Sequence, residues 1–364
     1  MPVGAALSGG IDSSAIVCAM RHLYPDQEIH TFSFIANDKD ISEEPWIDIV
    51  NAHTNSISHK VNATKEELVD DLDDLITAQG EPFGSTSIYA QYRVFREARN
   101  CGIKVVLDGQ GADEILAGYV SYQGNRLATL IESMQWMSVL RFLTASAKWP
   151  GRSVKLLAFM AVRELLPNNL RWIGRRLLSK GVPPKWICEN WIHQNGVERK
   201  PNLLNGVGGP ERLRSRLYET LTQSSIPHLL RYEDRNSMRF SIESRVPFLH
   251  VHLVEYLFSL PEEFLISGDG CSKYVFREAM RGIVPDTILD RRDKIGFATP
   301  EKAWLTQMDQ WASELFLFAN QVECFEREEL KKDWDAVFKG KIDFNFKCWR
   351  WLNFLAWEKA KTEH

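Results

Sequence analysis

A glycine-interrupted junction between a strand and a helix, "AALSGGIDSSAIVCAM" at residues 5–20, constrains the fold most strongly. The apolar run Val3–Leu7 predicts a short buried strand, and two glycines follow it directly. Beyond them a helical pattern begins, because apolar residues recur every three or four positions. The predicted inner stripe of this helix is Ile16, Ala19, Met20 and Leu23.

Strands and helices continue to alternate over the first 120 residues. Further β-type runs occupy Ile29–Ile35, Ser56–Val61 and Lys104–Leu107. Thr64 and Glu67 have the spacing of a capping box, and Gly80 marks the end of the helix they begin. This order predicts an α/β fold with a parallel sheet covered on both faces. The stripe expected to face the core is Leu68, Leu72, Leu75 and Ile76.

Beyond about residue 125 the strand signal fades and amphipathic helical stretches continue to the C-terminus. We predict an α/β core at 1–125 and a mostly helical part at 126–364, together forming one unit. The aromatic-rich segment 344–357 is expected to pack in a core rather than to form a binding face.

Composition excludes several classes of protein. The 364 residues carry a net charge of −4, which does not favour a nucleic-acid partner. Six cysteines without a CxxC pair argue against a zinc site or a disulfide framework and favour a cytoplasmic location. No apolar run reaches the roughly 18 residues of a membrane-spanning helix.

The strand-to-helix junction also predicts chemistry. The first N–H groups of a helix lack internal partners and lie at the positive end of its dipole, so they bind anions. The loop lacks the lysine of a P-loop and contains Asp12 instead. A carboxylate beside phosphates implies a bridging Mg²⁺. The alternative is a local capping turn. The candidate loop residues are Ser8, Gly9, Gly10, Asp12, Ser13 and Ser14.

A second glycine-containing loop, Asp108–Glu114, follows the strand predicted at Lys104–Leu107. Ligands of open α/β sheets bind at the carboxyl ends of the strands. If both loops face one crevice, Asp12 and Asp113 can supply two oxygen ligands to Mg²⁺. The alternative for this loop is an Asx-type turn with a helix cap.

Four segments together resemble the synthetase domain of the asparagine synthetase family: "LSGGIDSS", "LDGQGADEILAGY", "DRNSMRFSIESRVPFLHVHLVEYLFSLP" and "KYVFREAMRGIVPDTILDRRDKIGFATP". The resemblance implies a sheet of the ATP-pyrophosphatase type, with residues 231–305 completing the site. It also implies ATP and Mg²⁺ as cofactors. A substrate carboxylate would attack the α-phosphorus of ATP, pyrophosphate would leave, and ammonia would displace AMP.

The resemblance also implies roles for individual residues. Lys294 would stabilise charge on the α-phosphate, with a solvated loop lysine as the alternative. Catalytic roles also fall to Gln110 and Glu243, and acceptor binding to Asp234 and Arg245, although an Arg–Glu ion pair explains the Glu243–Arg245 motif as well. ATP and pyrophosphate binding is implied for Leu7, Ser8, Gly9, Gly10, Asp12, Ser13, Ser14, Phe34, Gly109, Lys273 and Lys294.

Two departures bear on the substrates. Family members that make asparagine usually carry Glu where this chain has Gln110. Glutamine cannot act as a base and carries no charge. Aspartate is the expected acceptor; a sugar acid of a surface polysaccharide and intramolecular ring closure remain open. Met1 is followed by Pro2 rather than by the glutaminase cysteine, so we expect a missing glutaminase domain or partner to supply ammonia. A tRNA-modifying ATP-pyrophosphatase is the other alternative.

A basic stretch at 134–185 contains ten Lys and Arg residues and one acidic residue, Glu164. Apolar residues interleave with these charges. This pattern suggests contact with a membrane surface or an anionic acceptor, and solvated helix faces are the alternative.

Overall fold

The computed structural model describes residues 2–38, 42–166, 184–197, 211–293, 299–342 and 347–363. At its centre a five-stranded sheet has the order β3-β2-β1-β4-β5, and all neighbouring strands are parallel. The predicted α/β fold with a parallel sheet is therefore confirmed. The strands are β1 (Val3–Ala6), β2 (His30–Phe34), β3 (Ile57–Val61), β4 (Val105–Leu107) and β5 (Glu243–Arg245).

The fifth strand is the one element of the sheet that the sequence did not signal. β5 pairs with β4 through the partners Val106 and Ser244. Its three residues are polar, and the side chains of Glu243 and Arg245 are largely exposed. An edge strand of this kind lacks the apolar run by which buried strands are recognised.

Helices cover both faces of the sheet. In the first half of the chain they are α1 (Ile11–Leu23), α2 (Glu44–Thr54), α3 (Lys65–Gln79), α4 (Ser87–Asn100), α5 (Ala112–Ile115), α6 (Tyr122–Glu132), α7 (Trp136–Ser146) and α8 (Val154–Leu165). In the second half they are α9 (Glu189–Gln194), α10 (Arg212–Glu219), α11 (Ile226–Arg239), α12 (Val251–Ser259), α13 (Glu262–Leu265), α14 (Tyr274–Ala279), α15 (Asp286–Leu289), α16 (Glu301–Leu305), α17 (Asp309–Phe318), α18 (Arg327–Phe338) and α19 (Lys347–Glu363).

The pleat of the strands divides the core into two. Ala5 and Leu7 pack with α1, α2 and α6 on one face, whereas Phe32 and Phe34 pack with α3, α4 and α19 on the other. Because successive residues of a strand point to opposite faces, one short sheet supports both cores. Both cores hold the strands in place beneath the loops at their carboxyl ends.

The predicted capping box is present. The Thr64 hydroxyl accepts from the Glu67 N–H at 3.2 Å, and the Glu67 carboxylate accepts from the Thr64 N–H at 2.9 Å. The predicted stripe of α3 is buried. For α1 the predicted stripe is partly wrong, because Leu23 is 67% exposed and the buried face includes Ile11 and Ala15. Periodicity does not show where along a helix its packing partner ends.

The C-terminal aromatic residues that the structure describes lie in the core, as expected. Trp349 is fully buried, and its indole N–H donates to the Phe83 carbonyl at 3.1 Å.

The basic stretch is described at 134–166 and 184–185. There, α7 and α8 expose apolar side chains, including Trp136, Met137 and Phe159. Membrane-surface contact stays a prediction. Within the described ranges no helix has the length and apolar character to cross a bilayer.

Candidate functional site

The first loop, Leu7–Gly10, connects β1 to the start of α1. Gly9 has a φ of 75°, which is the left-handed region that glycine adopts readily, and a Cβ there would lie 2.8 Å from the Cβ of Trp46. Gly10 caps α1 without a side-chain hydrogen bond. The hydroxyls of Ser8 and Ser13 are 3.1 Å apart. A local capping turn therefore explains the hydrogen bond between the two serines. It does not explain why the N-terminus of α1 has no side-chain cap.

The second loop, Asp108–Gly111, connects β4 to α5 and lies against the start of α1. A Cβ at Gly109 would lie 3.2 Å from both the Cβ of Asp12 and the backbone nitrogen of Ser13. Gly111 has a φ of 91°, and a Cβ there would lie 2.3 Å from a methyl carbon of Leu249. Both loops thus meet at the carboxyl edge of the central strands.

A cavity of about 290 Å³ lies between these loops, α4 and α11. A larger cavity of about 490 Å³ runs along α18 and the turn after it, and holds none of the predicted site residues. The cavity of about 290 Å³ is therefore the candidate site. Its lining includes Leu7, Ser8, Gly10, Asp12, Ser13, Phe32, Asp108, Gly109, Gln110, Asp113 and Tyr232.

The side chain of Lys273 forms ion pairs with an aspartate at the start of each helix that follows these loops. Its Nζ lies 2.5 and 2.6 Å from the carboxylate oxygens of Asp12 and 2.7 Å from Oδ1 of Asp113. Burial alone lowers the pKa of this lysine, but Asp113 and Asp12 raise it above the ordinary value, so the ammonium is charged. The two aspartates are therefore close enough to share one cation.

The backbone of Lys273 is itself unusual. Its φ is 57°, in the left-handed region that a residue with a Cβ rarely occupies. Its N–H donates to the Leu116 carbonyl at 3.2 Å, and the residue is only 5% exposed. Such strain persists where the surrounding structure holds it and is frequent at functional sites.

Arg291, which the sequence reading missed, supports the first loop. Its guanidinium donates to the Gly9 carbonyl at 2.9 Å, lies 3.1 Å from a carboxylate oxygen of Glu43 and stacks over Trp46 at 4.4 Å. Arg291 is 6% exposed. Arg291 is the first residue of "RRDKIGF", the segment that also contains Lys294, and this position was the sequence feature that could have identified it.

Asp108, which lines the cavity, and Glu233 are close enough for their charges to affect each other. Burial raises the pKa of Asp108 to about 6, although the N–H groups of Gln110 and Gly109 lower it. Burial and the neighbouring Asp108 raise the pKa of Glu233 well above its ordinary value, and its carboxyl accepts a hydrogen bond from the Ser244 hydroxyl. Near neutral pH this pair therefore resists carrying two negative charges.

Replacing Glu233 by Gln is expected to stabilise the protein at neutral pH. Unfolded carboxyl groups lose their protons near pH 4 and the folded pair loses them later, so the unfolded state binds fewer protons and stability falls as pH rises. The variant should unfold with a free energy higher by on the order of 1–3 kcal/mol at about pH 7.5, and by less at about pH 5. Urea unfolding at both pH values measures this.

Glu132→Gln is the matched control. The Arg212 guanidinium, which donates to the Glu132 carboxylate at 2.9 Å, lowers the pKa of Glu132, so its neutralisation should destabilise the protein at neutral pH. Equal destabilisation of Glu233→Gln at both pH values would contradict the repulsive pair.

Several other predicted residues that the structure describes do not line this cavity. Asp234, Glu243 and Arg245 are exposed, and Glu243 forms the ion pair with Arg245 that was the alternative explanation. Phe34 is buried in the core, and Phe32 lines the cavity instead. Ser14 is fully buried. Lys294 lies outside the described residues.

Comparison with known proteins gives a consistent picture. Asparagine synthetase 1 of Bacillus subtilis, described as glutamine-hydrolyzing, is 26% identical over all of this chain and 57% of its own length. Asparagine synthetase 3 of the same organism is 27% identical over 85% of this chain and 47% of its own length. Amidase chyE of Penicillium rubens is 25% identical over 84% of this chain and 50% of its own length.

The chain thus spans about half the length of the curated relatives it matches. The family model for asparagine synthase matches residues 1–359, including both loops and Lys273. With nearly its whole length matched, this chain belongs to the asparagine synthase family.

Proposed function

We propose that this chain forms an amide from a carboxylate and ammonia at the expense of ATP. The carboxylate oxygen attacks the α-phosphorus, the bond to pyrophosphate breaks, and an acyl-adenylate results. Ammonia then attacks the acyl carbon, AMP leaves with one oxygen of the original carboxylate, and a proton is released. The observation that carries this proposal is the meeting of Asp12, Asp113 and Lys273 where two glycine loops converge.

The first loop would receive the polyphosphate. The amino end of α1 directs backbone N–H groups and a positive dipole at this position, and Gly10 leaves the approach open. Ser8 and Ser13 line the same cavity, and we propose that their hydroxyls donate to the phosphates. Arg291 holds the Gly9 carbonyl and so keeps the loop in position before the ligand arrives.

The donor set of the two loops suits Mg²⁺. Asp12 and Asp113 offer hard carboxylate oxygens, and both already lie within 2.7 Å of one cationic nitrogen. Lys273 neutralises one of their two charges, so one negative charge remains for a divalent cation. Bound there, Mg²⁺ would neutralise the phosphates of ATP and the charge on leaving pyrophosphate. Lys294 remains the proposed cation for the α-phosphate.

Aspartate is the proposed acceptor, and Gln110 leaves its identity open. Gln110 lines the cavity, where a neutral amide donates and accepts hydrogen bonds but takes no proton. A sugar acid or an internal amine would need no carboxylate at this position. The relative named as an amidase is consistent with such variation within the family.

The source of ammonia is also a proposal. Relatives described as glutamine-hydrolyzing are about twice as long as this chain. We propose that a glutaminase, on the same polypeptide or a partner, supplies ammonia, and that this chain alone accepts free ammonia.

Pyrophosphate release tests the function. The chain is incubated with ATP, Mg²⁺ and ammonia, and a panel of aspartate, other amino acids, sugar acids and tRNA is added in turn. We expect release that depends on one carboxylate and on Mg²⁺. Release driven by tRNA favours the tRNA-modifying alternative, and release of ADP and phosphate instead of AMP and pyrophosphate refutes the proposal.

Gly118→Ala should reduce this activity without unfolding the protein. A Cβ at Gly118 would lie 1.8 Å from Oδ1 of Asp113 and 2.5 Å from Cε of Lys273, so both side chains must move. Because a displacement of about 1 Å can cost about 100-fold, we expect pyrophosphate release to fall by at least about tenfold.

Gly268→Ala is the control, since no atom lies within 4 Å of its added Cβ and its φ is outside the left-handed region. If Gly118→Ala retains the wild-type rate, the position of the Asp113 carboxylate is unimportant.

A further inference from the structure

A second cluster of ligand-type side chains lies on the edge strand β3, apart from the nucleotide cavity. His59 of β3 faces the end of α4, where Glu97 and Cys101 lie. Their ligand atoms, one from each residue, all lie within 4.8 Å of one another, and the three residues are partly buried. Nothing in the proposed synthetase chemistry uses them.

The missing CxxC pair argues against zinc bound by paired cysteines, whereas this cluster uses a single cysteine; we propose that His59, Glu97 and Cys101 bind a zinc ion that links β3 to the end of α4. The sulfur of Cys101 lies 3.3 Å from Nδ1 of His59 and 3.7 Å from Oε1 of Glu97. Tetrahedral Zn²⁺, with Zn–S near 2.3 Å and Zn–N near 2.0 Å, holds such ligand atoms about 3.5 Å apart. The observed separations therefore require only small side-chain adjustments.

A relay of hydrogen bonds links His59 to Glu28 through His30. Glu28 is an acceptor, so Nε2 of His30, at 2.9 Å, donates to it. Nδ1 of His30 lies 2.9 Å from Nε2 of His59, so one proton between these nitrogens links the two rings. When His59 contributes that proton, its Nδ1 keeps the lone pair and faces the sulfur of Cys101 at 3.3 Å. This is the tautomer that a metal ligand needs, with the outer partners that metal-bound histidines usually have.

Cys101 would bind zinc as a thiolate, so its thiol gives up a proton when the metal binds. Zinc binding would form the Zn–S bond and release that proton to the solvent.

The chemistry of the three donors selects the metal. A thiolate and an imidazole disfavour Mg²⁺ and Ca²⁺, which take oxygen ligands, and favour Zn²⁺. Three protein ligands leave a fourth position for water. Phe32 stacks on His59 at 4.7 Å and also lines the nucleotide cavity, so it contacts both sites.

Cobalt substitution tests the site on the full chain. After removal of bound metal by a chelator, the protein is titrated with Co²⁺ in excess Mg²⁺. We expect one equivalent to produce the near-ultraviolet absorption of a thiolate-to-cobalt bond, and Zn²⁺ to displace it. Metal held only by Asp12 and Asp113 has oxygen ligands and cannot produce this band. Failure of the band to appear overturns the proposal.

Variants identify the ligands. Cys101→Ser should lose the band, and Cys188→Ser, a partly exposed cysteine outside the cluster, should keep it. Glu97→Gln should weaken Zn²⁺ binding, and Glu28→Ala, which removes the acceptor for His30, should weaken it by about 10–100-fold through the relay. Circular dichroism verifies that each variant is folded. A spectrum and zinc affinity unchanged in Glu97→Gln would overturn the ligand set, even if Cys101→Ser fails to fold.

Discussion

Asp12→Asn and Asp113→Asn are each expected to lower carboxylate-dependent pyrophosphate release by at least about 100-fold. Each change removes one of the two carboxylates that face a shared cation, and an amide oxygen carries no charge to hold Mg²⁺. Both variants should fold, because Lys273 keeps one carboxylate partner. The rate is measured at saturating ATP and over a range of Mg²⁺ concentrations.

Asp48→Asn is the control for this prediction. Asp48 forms an ion pair with Lys60 at 2.6 Å, and neither residue lines the cavity, so the loss of this pair should leave the rate unchanged. If both Asp12→Asn and Asp113→Asn retained the wild-type rate and Mg²⁺ dependence, the two carboxylates would have no part in the reaction.

Lys273→Met should have the largest effect on stability. Removing one partner of a buried ion pair leaves an uncompensated charge and costs about 3–5 kcal/mol. Here Asp12 and Asp113 would lose the ammonium that neutralises them, so the thermal midpoint in a chelating buffer should fall by several degrees. Pyrophosphate release should fall by at least about 100-fold as well.

The effect of Mg²⁺ on the thermal midpoint of this variant distinguishes a metal site from a purely structural ion pair. A cation that binds only the folded state raises its stability. Mg²⁺ should therefore raise the midpoint of Lys273→Met more than that of the wild type. Lys302→Met, at an exposed position on α16, should show neither the loss nor the recovery. Equal stability of Lys273→Met and wild type in chelator would contradict the shared-cation geometry.

Local sequence patterns predicted the elements that frame the site. β1 and β4 are apolar runs broken by glycine, and each break is where a loop meets the cavity. Thr64 and Glu67 form the two reciprocal hydrogen bonds that their spacing predicted. These features depend on neighbours within a few residues, so the sequence displays them directly.

Features that depend on distant partners were weaker or invisible. Lys273 looked like a lysine ahead of a short helix, and only folding brings it to Asp12, 261 residues away. The pairing of Asp108 with Glu233, and the contact of Arg291 with Gly9, likewise join distant parts of the chain. β5 was missed because all three of its residues are polar, so it contains no apolar run.

The fate of oxygen from the acceptor tests the central claim most directly. A carboxylate that supports pyrophosphate release is labelled with ¹⁸O in both oxygens and incubated with the chain, ATP, Mg²⁺ and ammonia. The account predicts that AMP carries one ¹⁸O atom on its phosphate and that pyrophosphate carries none, because the carboxylate attacks the α-phosphorus. Unlabelled AMP, or label in phosphate released beside ADP, would contradict it.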